Sequence, residues 1–253
     1  MAQINRANFA ANLNTTTAWT GGAIPTATDI AAWGTPNITT GPSQALGGAV
    51  SWQGVLLQSA QTTNISIGTT PAAAMTIGAS GIDLSASGAN LTIASPVTIT
   101  LGANQQWSVA SGRTLTVSSV ITGNAKNVTF AGAGTTVLNT AVNNATWTNS
   151  NLIIASGAFV QANANRVLGA ITNTVEVQSG GALYITSLQT SGLTVNSFTV
   201  AGSGVSGKQA GAVFIASASD FSSGKDHHAS GRVSYNSASP KYAGWHYCRN
   251  SNG

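Results

Sequence analysis

The carboxylates that a hydrolase or lyase would need are scarce in this chain. Residues 1–207 contain three acidic side chains, Asp29, Asp83 and Glu176. Glycoside hydrolysis requires two carboxylates held at a set separation on either side of the scissile bond. Asp83 and Glu176 are far apart in sequence and each stands in the middle of a strand-like triplet, which favours two separate solvated positions. Asp29 follows Thr28 in a turn-like segment, where we expect its carboxylate to cap the turn.

One dense ionisable cluster, Lys225–His228, lies in the C-terminal part of the sequence. A structural zinc site needs four ligands in a tetrahedral arrangement, and a catalytic site needs three. Asp226, His227, His228 and the distant His246 have suitable side chains, but adjacent histidine side chains often diverge. We therefore predict a polar loop, with no metal site, catalytic residue or cofactor-binding residue.

Motifs for other chemistries are missing from the sequence. There is no Gly-x-Ser-x-Gly in a strand–turn–helix context, no phosphate-binding glycine loop and no calcium-binding Gly-Gly-x-Gly-x-Asp repeat. Nine Lys and Arg residues in 253 do not make a nucleic-acid surface. No apolar run approaches the roughly 18 residues of a membrane span. The sequence thus predicts a non-enzymatic protein with no cofactor, nucleic-acid partner or membrane span.

A short repeat between residues 50 and 200 supplies the predicted strands, including those that carry Asp83 and Glu176. Each unit is an apolar–Thr/Ser–apolar triplet followed by a turn of small residues, as in Leu91-Thr92-Ile93 and Leu115-Thr116-Val117. Alternation with period two places both apolar residues on one side of a strand and the middle residue on the other. Very short strands and small turn residues favour a solenoid with about three strands per turn over a hairpin meander.

The middle residues of the triplets form a predicted outward threonine face. Ordinary β-propensity on a solvent-facing surface explains them. A regular array that orders water, as in ice-binding solenoids, is the alternative, and it requires one face made of threonine alone. Interruptions such as Ser66, Asp83 and Glu176 argue against such an array. The predicted outward residues are Thr76, Thr92, Thr98, Thr116 and Thr129.

Composition and cysteine usage restrict the class of protein further. Only 6% of residues are charged, against about 25% in an ordinary soluble domain. The hydrophobic fraction of 42% disfavours disorder. Cys248 is the single cysteine, so core packing and backbone ladders must stabilise the fold without an intramolecular disulfide. The first residues lack the basic and apolar regions of a signal peptide.

The composition changes near residue 206, where cations, histidines and tyrosines become frequent. We predict an N-terminal segment over 1–20, a β-solenoid over 21–205 and a cap or assembly segment over 206–253, because an open solenoid end is a reactive β-edge. Trp19, Trp33 and Trp52 are predicted to plug the N-terminal end of the core. The predicted assembly contacts are Lys225, His227, His228, Arg232, Tyr242, Trp245 and Tyr247.

Two segments resemble autotransporter-associated β-strand repeat proteins. Residues 18–34 place Trp, Gly-Gly, Pro, Asp and a second Trp in the order in which that family often begins. Residues 101–123 are similar, with Leu-Gly-Ala-Asn-Gln-Gln-Trp followed by Ser-Gly-Arg-Thr-Leu-Thr-Val. The resemblance implies a right-handed parallel β-helix displayed outside a cell. Similar modules occur in phage structural proteins, which need neither a membrane barrel nor a signal peptide.

Together these observations predict an all-β, right-handed parallel β-solenoid with an N-terminal cap and a distinct C-terminal segment. The expected function is that of a virion surface component of the decoration, fibre or spike type. Such a protein would self-assemble as a homo-oligomer, with a trimer favoured, beside other structural proteins of the particle. The alternatives are a secreted or cell-surface adhesin or fibre module, with a glycan as partner, and an ice-binding protein. The expected location is the virion surface or the extracellular space rather than the cytoplasm.

Overall fold

A computed structural model shows a solenoid in which each β-strand pairs in parallel with the corresponding strand of the next turn. The structure describes residues 1–140, 144–164, 166–186, 197–201, 203–207, 212–215, 228–229 and 233–235. Two sheets, one of 13 strands and one of nine, contain the named strands. Their order along the axis follows the order of the chain, as winding in successive turns requires. This confirms the predicted all-β parallel solenoid, and crossover connections between parallel strands are almost always right-handed.

The 13-stranded sheet divides into two columns of strands, because two long strands pair with each other along both of their halves, and the halves of the second one then pair with two different strands. Column 1 runs through the first halves of these two strands and then through three shorter ones. Its members are β4 (Val50–Leu57), β6 (Ala73–Leu84), β8 (Val97–Leu101), β11 (Val120–Asn124) and β14 (Trp147–Thr148).

Column 2 is the longest and contains the second halves of β4 and β6. It begins with β1 (Gln3–Asn5) and β2 (Ile30–Trp33). After β6 it continues through β9 (Gln105–Val109), β12 (Val128–Ala131), β15 (Asn151–Ile154), β17 (Thr174–Val177), β19 (Ser197–Val200) and β21 (His228–Ala229).

Column 3 is the nine-stranded sheet. Eight steps at about 4.8 Å between neighbouring strands make it roughly 38 Å long. Its members are β3 (Ser43–Ala45), β5 (Ile65–Thr69), β7 (Leu91–Ile93), β10 (Thr114–Val117), β13 (Thr135–Leu138), β16 (Phe159–Ala162), β18 (Ala182–Ile185), β20 (Val213–Ile215) and β22 (Val233–Tyr235).

Each middle turn of the chain crosses the three columns in order, for example β8, β9 and β10. The register advances by 23 or 24 residues per turn where Thr129 pairs with Ile153 and Val175 with Phe198. The larger step from Leu183 to Val213 shows that a later turn is longer. Three strands per turn were predicted from the triplet spacing, and the middle turns confirm this number.

Strand pairing crosses both of the predicted boundaries. β1 pairs with β2, so residues before position 20 already belong to the solenoid. β20 and β22 extend column 3 beyond position 206, and β21 extends column 2. The composition of the sequence changes near 206, whereas the described strands β20, β21 and β22 continue the same columns.

The core is one continuous apolar interior built from the two outer members of each triplet. We call a row of residues that stand in register on successive strands a file. Ile65, Leu91 and Leu115, for example, stand in register and are at most 1% exposed. The largest fully buried side chains include Trp33, Trp52, Trp107, Trp147 and Phe130. Burial of these faces is the main source of stability in a chain without an intramolecular disulfide.

Glycine is required where the long strand β6 passes from column 1 to column 2. Gly81 has φ +64, and a Cβ at this position would collide with the carbonyl oxygen of Gln106 in the next turn. A left-handed conformation against a neighbouring backbone excludes other residues. This glycine therefore lets one strand serve both columns.

Candidate functional site

Asp83 and Glu176 both face outward on column 2, although the sequence favoured unrelated positions. They stand in adjacent outward files, Asp83 beside Ser108 and Glu176 beside Thr199. Four strand steps separate them, which amounts to about 19 Å along the axis. Paired carboxylates in glycosidases are about 5–10 Å apart. Their actual partners are local, since Asp83 accepts from the Ser85 N–H at 2.8 Å and Glu176 from the Gln178 amide at 3.1 Å.

Asp29 closes a turn, as its sequence context predicts. Its carboxylate accepts from the Thr26 hydroxyl at 2.6 Å and from the Thr26 N–H at 3.1 Å. These two hydrogen bonds lower the pKa of the Asp29 carboxyl below its usual value, despite a smaller opposing effect of burial. The group therefore acts as a local turn cap.

The five predicted outward threonines are divided among three columns and do not form a single array. Each is partly exposed between buried neighbours, in agreement with an outward side chain. Thr76 and Thr98 lie on column 1, Thr92 and Thr116 on column 3, and Thr129 on column 2. The sequence did not reveal this separation, because all three strands of a turn use the same triplet.

Column 1 nevertheless carries a true hydroxyl file. Ser51, Thr76, Thr100 and Thr122 stand in register on four successive turns. The Thr122 hydroxyl donates to the Ile99 carbonyl at 3.2 Å and lies 3.3 Å from the Thr100 hydroxyl. The neighbouring outward file contains Ala74 and Val120 on either side of Thr98, so this face is not made of threonine alone.

Column 3 changes chemistry along its length. Its central outward file begins with the hydroxyl residues Ser43, Ser66, Thr92 and Thr116 and continues with Val137, Gln161, Tyr184 and Phe214. The Tyr184 and Phe214 rings lie 5.1 Å apart, and Phe159 from the adjacent file stacks on Tyr184 at 6.4 Å. The C-terminal part of this face thus carries a small aromatic cluster, which the triplet pattern of the sequence does not reveal.

Asparagine side chains link successive turns at the corner before column 2. Asn104 accepts from the Asn127 N–H at 2.9 Å, and Asn127 accepts from the Asn151 N–H at 2.8 Å. The hydroxyl of Thr174 donates to Asn151 at 3.0 Å. We call Asn104, Asn127 and Asn151 the asparagine ladder. Their spacing of 23 and 24 residues was the sequence signal that would have revealed it.

A buried arginine organises the N-terminal end. Arg6 is fully buried just after β1, and its guanidinium donates to five acceptors at 2.6–3.2 Å. Four acceptors are the carbonyls of residues 7, 9, 11 and 18, and the fifth is the Gln44 amide oxygen. Burial lowers the pKa of Arg6 to about 10, so the side chain stays charged at neutral pH.

The predicted tryptophan plug lies directly against this network. Trp19, Trp33 and Trp52 are at most 2% exposed and meet edge to face at centroid distances of 5.7–6.0 Å. The indole of Trp33 donates to the same Gln44 oxygen at 3.0 Å. We call Arg6, Gln44 and the three tryptophans the N-terminal cap. The sequence indicated the aromatic part, but gave no sign that a cation would be buried there.

A shallow apolar groove of about 830 Å³ opens on the outside of this cap. Two short 3₁₀ helices, η1 (Thr16–Ala18) and η2 (Thr20–Gly22), contribute to its lining. Residues 7–11, Trp19 and Pro36 complete the lining. Phe9 lines the groove and is 66% exposed, the most exposed aromatic side chain in the described part of the chain.

The predicted C-terminal assembly contacts lie almost entirely outside the described residues. Lys225, His227, Arg232, Tyr242, Trp245 and Tyr247 lie outside the described residues. His228 begins β21, whose backbone pairs Thr199 with position 228. Within the described ranges there is no group of three His, Cys, Asp or Glu side chains suited to a metal ion.

Comparisons with protein-family models, curated proteins and solved structures gave no significant match to this chain. The resemblance to autotransporter-associated repeats therefore stays a prediction that rests on residues 18–34 and 101–123. In the portion of the chain that the structure describes, no helix has the length and apolar character needed to cross a membrane.

Proposed function

We propose that this chain is a non-enzymatic structural element of a particle or cell surface, and foremost a virion surface component that self-assembles. The observation that carries the proposal is the unbroken parallel stack with a single apolar core. Such a stack makes a stiff rod from a chain with few charged residues. A stiff rod suits rigid spacing and display, and these roles require no set of reactive groups.

The exterior of the rod is consistent with this role. Hydroxyl files and the asparagine ladder satisfy polar groups between neighbouring turns, and the described part of the surface carries few charged side chains. A nearly uncharged surface of this kind does not oppose close packing of copies by like-charge repulsion. Repeated weak contacts between copies would then add up through multivalency.

The test is the mass and location of the full chain. Sedimentation velocity over a range of concentrations should give an elongated oligomer. Antibodies against the chain should label the surface of purified particles from its source culture. Monomers at every concentration, together with labelling confined to the cell interior, would contradict the proposal.

A cell-surface adhesin is the second candidate, and the aromatic cluster on column 3 favours it. The partly exposed rings of Tyr184 and Phe214 offer apolar surface beside the Gln161 amide, a combination suited to neutral sugars. Retention on insoluble cellulose or chitin that is lost in Tyr184→Thr and Phe214→Thr would support this role. Thr116→Ser, lower in the same file, is the matched control.

A further inference from the structure

The outer face of the N-terminal cap combines an apolar projection with an apolar depression. Phe9 is 66% exposed and lies at the margin of the groove formed by η1, η2 and Pro36. Gly21 and Gly22 leave open space above their backbone, since a Cβ at either position would meet nothing within 4 Å. An exposed ring beside an open groove is unfavourable for an isolated rod in water.

This face also lacks the charges that normally keep exposed β-structure apart. Arg6 and Asp29 are the only charged side chains among residues 1–60, and Arg6 is fully buried. β1 lies at the end of the 13-stranded sheet, and its sequence Gln-Ile-Asn carries none of the charged or proline residues that protect sheet edges. Apart from the exposed Asp29 carboxylate and the N-terminal ammonium, this end of the rod carries no exposed charge, and β1 has an unprotected sheet edge.

From these features we propose that the N-terminal cap binds a second copy of the same chain end to end. A two-fold axis would place each Phe9 in the groove of the other copy, because projection and groove lie on one face. The contact is self-complementary and closes at two copies. This inference rests on the proposed self-assembly and specifies one of its contacts.

A second copy fits this face better than a different partner. The groove is lined by apolar and hydroxyl side chains and by the Asn8 amide, with no charged side chain to select a peptide, a nucleotide or an anionic lipid. In an isologous contact the exposed Phe9 ring supplies the occupant of the groove. No other component is required.

The experiment uses the full chain and two variants at exposed positions, Phe9→Ser and Thr20→Arg. Phe9→Ser removes the projection, and Thr20→Arg places a long charged side chain in the groove. Ile171→Ser is the matched control, because Ile171 is also a large exposed apolar residue (58%) but lies before β17, far along the rod. Circular dichroism and thermal melting establish that all four proteins are equally folded.

Sedimentation equilibrium should give a mass for both cap variants that is half that of the wild type. The dissociation constant should rise by about 30-fold or more, as for loss of a central aromatic anchor. The Ile171→Ser mass should not change. An oligomer that persists in both cap variants would overturn the end-to-end contact and leave self-assembly intact. A monomeric wild type at all concentrations would overturn both.

Discussion

The N-terminal cap and the middle turns of the solenoid satisfy buried polar groups in different ways. In the middle turns, each asparagine of the ladder bonds the turn above or below, and the next turn repeats the arrangement. In the cap, one guanidinium donates to four carbonyls and one amide oxygen, an arrangement that no other turn repeats among the described residues. In the middle turns the stabilising hydrogen bonds of buried polar groups are thus spread over many repeated positions, whereas in the cap they are concentrated on one side chain.

This difference has a physical origin. A middle turn has a neighbour on each side, so its backbone groups find partners in parallel ladders. The first turn lacks one neighbour, and its chain must fold back to cover the end of the core. Irregular backbone over a core leaves carbonyls that need donors. Arg6 provides several donors in one side chain.

Arg6→Met is the substitution expected to show the largest difference in stability between the cap and the middle turns. Methionine retains the apolar stem but leaves several buried acceptors short of a donor, at a cost of about 1–3 kcal/mol for each group left unsatisfied. We expect the free energy of unfolding to fall by about 3 kcal/mol in guanidinium chloride titrations followed by tryptophan fluorescence. Arg113→Met, in the partly exposed turn before β10, is the control and should change it by about 0.5 kcal/mol or less. Equal effects would mean that the cap holds no special share of the stability.

Two tryptophans of the cap provide a sharper comparison. The Trp33 indole donates to Gln44, whereas the buried Trp52 indole N–H has no hydrogen-bond partner. Replacement by phenylalanine removes the same volume in both cases, so the cavity terms are similar. We expect Trp33→Phe to be about 1–2 kcal/mol more destabilising than Trp52→Phe in the same titration. A greater loss in Trp52→Phe would show that packing, and not the Gln44 contact, governs this cluster.

A single position of the asparagine ladder should matter less. Asn127→Ala removes the oxygen that accepts from Asn151 and should lower the free energy of unfolding by about 1 kcal/mol. Thr98→Ala, on the outward surface of column 1, is the control and should cost about 0.5 kcal/mol or less. Hydrogen exchange at the amide of Asn151 should accelerate in Asn127→Ala alone. An unchanged exchange rate would mean that the ladder does not hold adjacent turns together.

The sequence was sufficient to predict the solenoid and its buried positions, but not its columns, its ends or the chemistry of its faces. Period-two triplets such as Leu91-Thr92-Ile93 determine which side chains are buried, and the structure confirms the solenoid. The triplets do not encode which column a strand joins, because Thr76, Thr92 and Thr129 each stand between two apolar residues in sequence and yet lie on different columns. Column identity depends on turn length and on glycines such as Gly81.

The cap was only half predictable for a related reason. Three tryptophans near one end indicate an aromatic plug because large apolar residues must be buried. Nothing in the segment around Arg6 marks that cation for burial, since charged residues are rarely buried without a charged partner. The groove and Phe9 likewise depend on how residues 7–11 fold over the end, which periodicity does not describe.

The smallest expected effect concerns the charge of Asp29, at the margin between the cap and the first turn. Its folded pKa lies below the usual value because Thr26 donates two hydrogen bonds to the carboxylate. A depressed folded pKa contributes stability that is present above the unfolded pKa of 3.8 and disappears as the pH falls through the folded pKa. Wild type should therefore melt at a slightly higher temperature than Asp29→Asn at neutral pH, with the gap closing on acidification below about pH 4. A gap that is independent of pH would show that the shape of the side chain, rather than its charge, holds the turn.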